Sequence, residues 1–329
     1  MNMIKNILSG YNSILALIVL VIMISMNVAF PGFISILNME SITTGFIGEC
    51  FIALGMLLVI ILRGIDLSVA STLPFSAIIV SQLLQFFTGL TGSIYFSIFI
   101  SVIITLILCI CVGVINGLLV NRLKVHAFIV TLAMAMTLRG INLVITNGST
   151  ISGLPAKFTA FGQDYLFGLP LMLWLFIIVA IGFGYALANH RYFQQVYFIG
   201  GNEEAAKLNG INVDLFKIFA FAFSALMAGI AGIIYASQFG AANMAYGQNI
   251  ELRVIAAVFI GGASMFGGVG TFMGTILGVF FLAILYNGFT WTGINTYYQE
   301  ILIGGMLVSA VFIGEVTKRR TNIKVVLKN

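Results

Sequence analysis

The sequence has little charge and few of the residues that carry enzyme chemistry. Of its 329 residues only 8% are charged, and it has two histidines, three cysteines and four prolines. A soluble chain of this length needs far more polar surface, so the composition excludes an ordinary globular domain. Cys50, Cys109 and Cys111 lie in apolar runs without the neighbouring ligands of a metal site, and we expect buried free thiols.

Motifs for nucleotide binding and hydrolysis are also missing. There is no Gly-x-x-x-x-Gly-Lys-Ser/Thr loop, so this chain cannot be expected to hydrolyse ATP alone. There is no His-Glu-x-x-His, and His126 and His190 fall in predicted loops. The net charge of +5 is spread over many loops, which argues against a nucleic-acid surface. We therefore predict no catalytic residue, no metal site and no cofactor held by this chain.

What the sequence does contain is long apolar runs. Hydrophobic residues make up 60% of the chain, and runs such as 14–30, 46–62, 171–187, 218–236 and 272–286 are apolar on every face. Each approaches the roughly 20 residues that cross a bilayer as a helix, whereas strands of a membrane barrel would alternate. We predict an all-α membrane protein, a single transmembrane domain over residues 1–329, with ten spans in contact with lipid.

The basic residues predict the orientation of these spans. With the N-terminus inside, twelve Lys and Arg lie in cytoplasmic segments and only Lys157 lies in an outer loop, as the positive-inside rule requires. The twelve are Lys5, Arg63, Arg122, Lys124, Arg191, Lys207, Lys217, Lys318, Arg319, Arg320, Lys324 and Lys328. Both termini are then cytoplasmic, the first helix is expected to remain uncleaved, and residues 317–329 form a cytoplasmic tail.

Two further features concern the second half of the chain. The span after Ile250 supplies only about 18 Å of helix, which predicts a short or broken helix beside protein or a water-filled cavity. A shift of about 171 residues lays spans two to five over spans seven to ten and places residues 116–117 on 287–288. This correspondence is either an inverted repeat with a pathway between its halves or a chance match.

Charged and polar residues near the spans have mainly structural interpretations. Glu49 is the acid most nearly inside a span, and Arg139 either pairs with it or extends outward to the membrane surface. For such a pair we favour a structural role over a transport role. Asp66 or Ser68 could cap the third span, which we favour over contact with a ligand. Three glycines between residues 270 and 278 share one helix face, an arrangement that favours close helix packing. They are Gly270, Gly274 and Gly278.

The longest inner loop, residues 189–217, contains the signals of a short helix. Asn202 can cap it, acidic residues follow in its first turn, two alanines favour it, and Gly210 can end it in the left-handed conformation. Its small alanine face suits docking into a groove on another protein. A solvated surface helix is the alternative.

Several motifs together resemble one known family. They are Gly-Ile-Asp-Leu-Ser-Val-Ala-Ser at residues 64–71, Ala-Phe-Ile-Val-Thr-Leu at 127–132, Leu-Arg-Gly at 138–140, Gly-Gly-Asn-Glu-Glu-Ala-Ala at 200–206 and the paired glycines at 261–262 and 267–268. These resemble the permease subunits of ABC importers for ribose, autoinducer-2 and related simple sugars. The resemblance implies a bacterial cytoplasmic membrane, a second permease subunit, ATP-binding cassette subunits that hold ATP and Mg, and an extracytoplasmic sugar-binding protein.

The resemblance also assigns roles to residues. The loop helix becomes the coupling helix, with the contact set Asn202, Glu203, Glu204, Ala205, Ala206, Leu208, Gly210 and Ile211. A neutral sugar needs hydroxyl and amide groups along its path, and the candidates are Ser68, Gln82, Asn116 and Asn142, each of which could instead join helices. Arg253 departs from the family, whose members often have an aspartate there. The competing hypothesis is a self-sufficient secondary transporter or channel for a small polar solute.

Overall fold

The computed structural model describes residues 10–295, 297–302, 304–306, 308–309 and 312. These residues are mainly helical, with one hairpin of two-residue strands, β1 (Tyr165–Leu166) and β2 (Leu169–Pro170). The helices are α1 (Gly10–Ala29), α2 (Ile36–Ile61), α3 (Val69–Thr91), α4 (Ile94–Leu123), α5 (Ala127–Thr146), α6 (Ala156–Gln163), α7 (Leu171–Asn189), α8 (Arg191–Gly201), α9 (Glu203–Leu208), α10 (Val213–Phe239), α11 (Ile250–Ile260) and α12 (Phe272–Thr292).

Eight of these helices are long and apolar enough to cross a membrane: α1 to α5, α7, α10 and α12. The chain is therefore a multi-pass membrane protein, and the predicted all-α class is confirmed. Of the two other predicted spans, the one after residue 250 is α11, whose 11 residues extend only about 16 Å. The one after residue 297 lies partly outside the described residues. Lys5 and the predicted tail, residues 317–329, lie wholly outside them.

The core forms where α10 crosses α2, α3 and α4, and small residues lie at each crossing. A Cβ added to Gly55 of α2 would lie 2.6 Å from the Cα of Ser224. Added methyl groups at Gly113 of α4 and Gly232 of α10 would meet the backbones of α10 and α3. Lipid is as apolar as a leucine side chain, so helices in a bilayer associate through such close packing rather than through the hydrophobic effect.

The outer faces of α1, α4 and α5 carry exposed apolar side chains. Ile14, Leu17, Phe99, Ile129 and Val144 are all exposed. In water a surface of this kind would be an aggregation site, whereas against hydrocarbon it costs nothing. These faces form the apolar perimeter of the bundle.

The segment between α10 and α11 turns back towards the start of α3. A Cβ added to Gly247 would lie 3.3 Å from the carbonyl oxygen of Ala70. The close contact between α11 and α12 depends on two glycines of α12. A methyl group on Gly278 would collide with the carbonyl oxygen of Ala257 in α11, and one on Gly274 would collide with that of Gly261, directly after α11. The short helix predicted from the sequence is thus present and is packed against α12.

One of the three predicted packing glycines is placed differently. Gly270 precedes α12, because Thr271 is the N-cap residue and accepts from Gly274 N. A methyl group on Gly270 would instead meet Leu57 of α2. The shared helix face therefore consists of Gly274 and Gly278, and the prediction that included Gly270 was wrong by one turn.

Candidate functional site: the α9 helix and a polar cavity

The helix predicted in the longest loop is present as α9, with the predicted ends. The side chain of Asn202 accepts from Ala205 N at 3.0 Å, which satisfies one of the free amides of the first turn. Gly210 follows the helix with φ +78°, the left-handed conformation that favours glycine. Glu203 and Glu204 occupy the first turn, where a helix dipole stabilises negative charge.

The two faces of α9 have different environments. Ala206 is 0% exposed and belongs to the main hydrophobic core, whereas Leu208 is 89% exposed. Glu204 is also exposed, and Ala205 and Ile211 are partly so. The expectation that both alanines form the docking face therefore needs correction: Ala206 anchors the helix to the bundle, and Leu208 with Glu204 is what the helix presents outward.

Ion pairs connect α9 to α10. Glu203 accepts from Lys207 Nζ at 2.8 Å within the helix and from Lys217 Nζ at 2.9 Å on α10. Burial acts to raise the pKa of Glu203, but the hydrogen bonds from the two lysines outweigh it, so the pKa is lowered below its ordinary value. At neutral pH this carboxylate is ionised and holds α9 against the start of α10.

A polar cavity of about 310 Å³ lies between α3, α5 and the segment after α10. Its polar lining comes from Ser71, Arg139, Asn142, Tyr246 and Gln248. Asn142 Nδ2 donates to the carbonyl oxygen of Ser71 at 3.2 Å, and its Oδ1 has no hydrogen-bond partner among the residues that the structure describes. Amide, hydroxyl and guanidinium groups in one concave space can bind the hydroxyls of a small polar solute.

The other three predicted pathway residues do not line this cavity. Ser68 and Asn116 are both fully buried and bonded to each other, with Asn116 Nδ2 donating to Ser68 Oγ at 2.9 Å. Gln82 donates to the carbonyl oxygen of Ile145 at 3.3 Å. These contacts join α4 to α3 and α3 to α5, the alternative that the sequence left open. Only Asn142 faces the cavity.

The turn between α2 and α3 contains the two residues predicted to cap α3, Asp66 and Ser68. Ser68 is the N-cap residue of α3, but its side chain makes no capping bond. Its Oγ instead donates to Asp66 Oδ1 at 2.6 Å, and its backbone N–H donates to the same oxygen at 3.0 Å. Asp66 therefore closes the turn before the helix, and Ser68 occupies the predicted cap position without a capping bond from its side chain.

Glu49 is paired, but not with Arg139, although that pairing was one of the two alternatives for the arginine. Glu49 Oε1 accepts from Arg253 Nη2 at 2.8 Å, which joins α2 to α11. Arg139, the partner suggested from position along the spans, lines the polar cavity instead. Arg253, the residue that differs from the family pattern, thus forms an ion pair with Glu49 in this chain. Sequence reasoning missed the pair because 204 positions separate the two residues, and it missed Tyr246 and Gln248 because their segment had no motif.

Comparisons with known proteins found a matching family model and several similar proteins. The family model described as branched-chain amino acid transport system / permease component matches residues 38–311. The chain is 36% identical to the ribose import permease protein RbsC of Haemophilus influenzae over 303 residues, 91% of each chain. It is 32% identical to the galactose/methyl galactoside import permease protein MglC of Salmonella typhimurium over 294 residues, 85% of this chain and 87% of the relative.

A third relative is the L-arabinose ABC transporter permease protein AraH of Azospirillum brasilense, 30% identical over 301 residues, 92% of this chain and 86% of the relative. No solved structure matches the chain.

Proposed function

Because the chain belongs to the family of branched-chain amino acid transport system permease components, we propose that it is the membrane-spanning permease subunit of an ATP-driven sugar importer. The cargo is a small neutral sugar, ribose or a related monosaccharide, or autoinducer-2. The relatives named for ribose, galactose and arabinose import support this class of cargo. The membrane is the bacterial cytoplasmic membrane.

The observation that carries the proposal is α9. It is a capped helix whose buried face is fixed to the bundle by Ala206 and whose opposite face exposes Leu208 and Glu204. An exposed leucine on a short helix at the end of a membrane bundle fits a groove on a soluble partner. We assign that groove to a separate ATP-binding subunit, which holds ATP and Mg, because this chain has no phosphate-binding loop.

The polar cavity supplies the second element of the proposal. Its volume of about 310 Å³ falls at the lower end of the usual range for small-molecule sites, about 300–1,000 Å³. Asn142, Arg139 and Gln248 offer hydrogen bonds to hydroxyl groups, and Tyr246 offers an aromatic face. A sugar passing between α3 and α5 would exchange its water for these groups.

The proposed topology has ten spans with both termini on the side of α9. In this arrangement α2 to α5 and the segment from α10 onward are inverted repeats. The similar lengths of α2 and α10, 26 and 27 residues, and their mutual crossing support the correspondence. A second permease subunit completes the pore, and a sugar-binding protein docks on the side opposite α9.

Transport follows from the coupling of the two ends. A loaded binding protein docks outside, ATP draws the ATP-binding subunits together, and α9 of each permease moves with them. Because α9 is attached to α10 through Glu203 and Lys217, this motion reaches the helices around the cavity. Each face of the pore opens in turn.

The experiment is reconstitution of the chain with its ATP-binding subunit in liposomes, followed by uptake of labelled D-ribose, L-arabinose and D-galactose delivered by the binding protein. Leu208→Gln should abolish ATP-dependent uptake, because it removes the exposed apolar contact of α9. Leu123→Gln is the matched control, since Leu123 is also an exposed leucine at a helix end. Sugar accumulation by the chain alone, without ATP, would establish the secondary transporter instead.

A further inference from the structure

Arg63 lies immediately after the end of α2 in an unusual backbone conformation. Its φ is +64°, a left-handed value that glycine adopts freely and arginine does not. Its N–H donates to the carbonyl oxygen of Ile60 at 2.9 Å, which completes the turn. An arginine at a position that favours glycine points to a role for the side chain itself.

The guanidinium of Arg63 binds the last two residues of α8. Nε donates to the carbonyl oxygen of Gly200 at 2.7 Å, and Nη2 donates to that of Gly201 at 2.6 Å. These are short, charge-assisted bonds to the C-terminal carbonyls of a helix, where cations are favoured. Asn202, the cap of α9, is the next residue. Arg63 is therefore attached to the chain directly before α9.

Backbone contacts extend this attachment to the loop before α12. Gly268 N donates to the carbonyl oxygen of Ile61 at 2.9 Å. A methyl group on Gly200 would collide with that same carbonyl, and one on Gly267 would collide with Cγ of Arg63. The ends of α2 and α8 and the loop before α12 thus touch backbone to backbone, with Arg63 among them. Close packing of this kind transmits a displacement from one element to the next.

The opposite side of this region is less densely packed. A cavity of about 150 Å³ is lined by Arg63, His126, Glu203 and Lys217 together with apolar residues of α2, α4 and α10. The start of α9 therefore has free space on the side of α4 and α5 and close contacts on the side of α2. A displacement of α9 is accordingly passed on to α2 and the loop before α12 rather than to α4 and α5.

We propose that Arg63 is a positioning residue that transmits the movement of α9 to α2 and α12, so that ATP-driven motion opens the pore. This inference rests on the proposed function. Glu203 and Lys217 form the parallel link to α10. The two links together move the helices that cross in the core, and the guanidinium fork makes the Arg63 link rigid because it binds two successive carbonyls.

The test uses the complete complex in liposomes and compares four variants. Arg63→Gly suits the left-handed backbone and removes only the side chain, and Arg63→Gln removes the charge. Arg63→Lys keeps the charge but not the fork. Arg122→Gln is the control, because Arg122 is an exposed arginine at the end of α4. The measured quantities are subunit assembly, ATP hydrolysis and uptake of whichever of the three labelled sugars the wild-type complex accumulates.

We expect Arg63→Gly and Arg63→Gln to assemble normally and to hydrolyse ATP within about twofold of wild type, but to import at least about tenfold less sugar per ATP. Arg63→Lys should be intermediate and Arg122→Gln unchanged. A purely structural role would lower assembly or hydrolysis together with uptake, and that result would overturn the inference.

The inference and the proposed function fail in different ways. Normal sugar import per ATP in Arg63→Gly and Arg63→Gln, in liposomes where Leu208→Gln is inactive, would overturn the role of Arg63 and leave the proposed function intact. If the wild-type chain assembles with no ATP-binding subunit or imports none of the three sugars, the proposed function falls and this inference falls with it.

Discussion

Replacement of Arg253 by methionine should destabilise the protein more than replacement of Glu49 by methionine, although both break the same ion pair. The reason lies in the different exposure of the two side chains. The Glu49 carboxylate is 4% exposed, whereas the Arg253 side chain is 27% exposed and lies over the Tyr286 ring, with 5.8 Å between Cζ and the ring centroid. The side chain left without a partner is therefore more deeply buried in Arg253→Met than in Glu49→Met.

The magnitude follows from this asymmetry. Removing one partner of a buried pair costs about 3–5 kcal/mol, and Arg253→Met should fall in this range because it leaves the Glu49 carboxyl, only 4% exposed, without its partner. Glu49→Met should cost about 1–3 kcal/mol, because the Arg253 side chain is 27% exposed and keeps its contact with the Tyr286 ring. The double variant, which removes both charges, should lie within about 1 kcal/mol of wild type.

The assay is a double-mutant cycle on the chain in mixed detergent micelles. Unfolding by increasing SDS is followed through tryptophan fluorescence, and the free energies of the four proteins give the coupling energy. We expect coupling of at least about 2 kcal/mol. Arg139→Met is the matched control, because Arg139 is exposed and was the alternative partner of Glu49; it should change the stability by about 0.5 kcal/mol or less.

Three results would refute the reasoning. Equal costs for the single variants would show that the difference in exposure does not govern the cost. Additive costs in the double variant would show that Glu49 and Arg253 do not interact. A large effect of Arg139→Met would return that residue to the role predicted from the sequence.

Three further predictions concern packing, α9 and pH. Gly278→Ala should cost about 1–3 kcal/mol in the same SDS assay, because the methyl group collides with the backbone of α11, whereas Gly182→Ala, which meets nothing within 4 Å, should be neutral or stabilising. Asn202→Ala should speed amide exchange in residues 203–209 about fivefold by mass spectrometry, for loss of a cap worth about 1 kcal/mol, and Asn212→Ala, which uncaps α10, should not. The difference in free energy of unfolding between wild type and Glu203→Gln should be constant between pH 6 and 8 and should shrink as the pH falls below 4.5. The reason is that the pKa of Glu203 is lower in the folded than in the unfolded state. The ion pairs therefore stabilise the fold above the unfolded-state pKa, and this stabilisation is lost as the pH falls through the folded-state pKa.

Each of these has a result that contradicts it. Equal stabilities for the two glycine variants would mean that α12 can shift away from α11 at no cost. Unchanged exchange in Asn202→Ala would mean that the packing of α9, rather than its cap, maintains the helix. A gap that widens in acid would mean that the Glu203 pKa is raised, and that burial rather than its two lysine partners governs this carboxylate.

The elements of the fold were predictable wherever the signal is local. The long apolar runs correspond to α1, α2, α7, α10 and α12, because a span of about 20 apolar residues has few alternatives to a membrane helix. The cap and end of α9 followed from Asn202 and Gly210 for the same reason, since both act through bonds to residues three or four positions away. A short helix after Ile250 followed from length alone.

The candidate site was predictable only in part. Asn142 was identified because its residue type suits a polar path, but Ser68 and Asn116 have the same polarity and are bonded to each other in the core. Polarity tells that a side chain needs a partner, and it does not tell whether the partner is a solute or another helix. The lining by Gln248 depends on how the segment after α10 turns back, which no motif marks.

By itself, the sequence determined that this is a membrane protein of the helical class, that it contains the short α9 helix, and to which family it belongs. Each of these depends on composition, on periodicity, on local motifs or on contacts within one turn. Only the tertiary structure decided which charged groups meet which partners. Glu49 pairs with Arg253 and not with Arg139, and Arg63 binds the end of α8. The physical reason is that a side chain's partner is set by how helices distant in sequence cross. Those crossings depend on where glycines such as Gly55 and Gly278 let backbones approach.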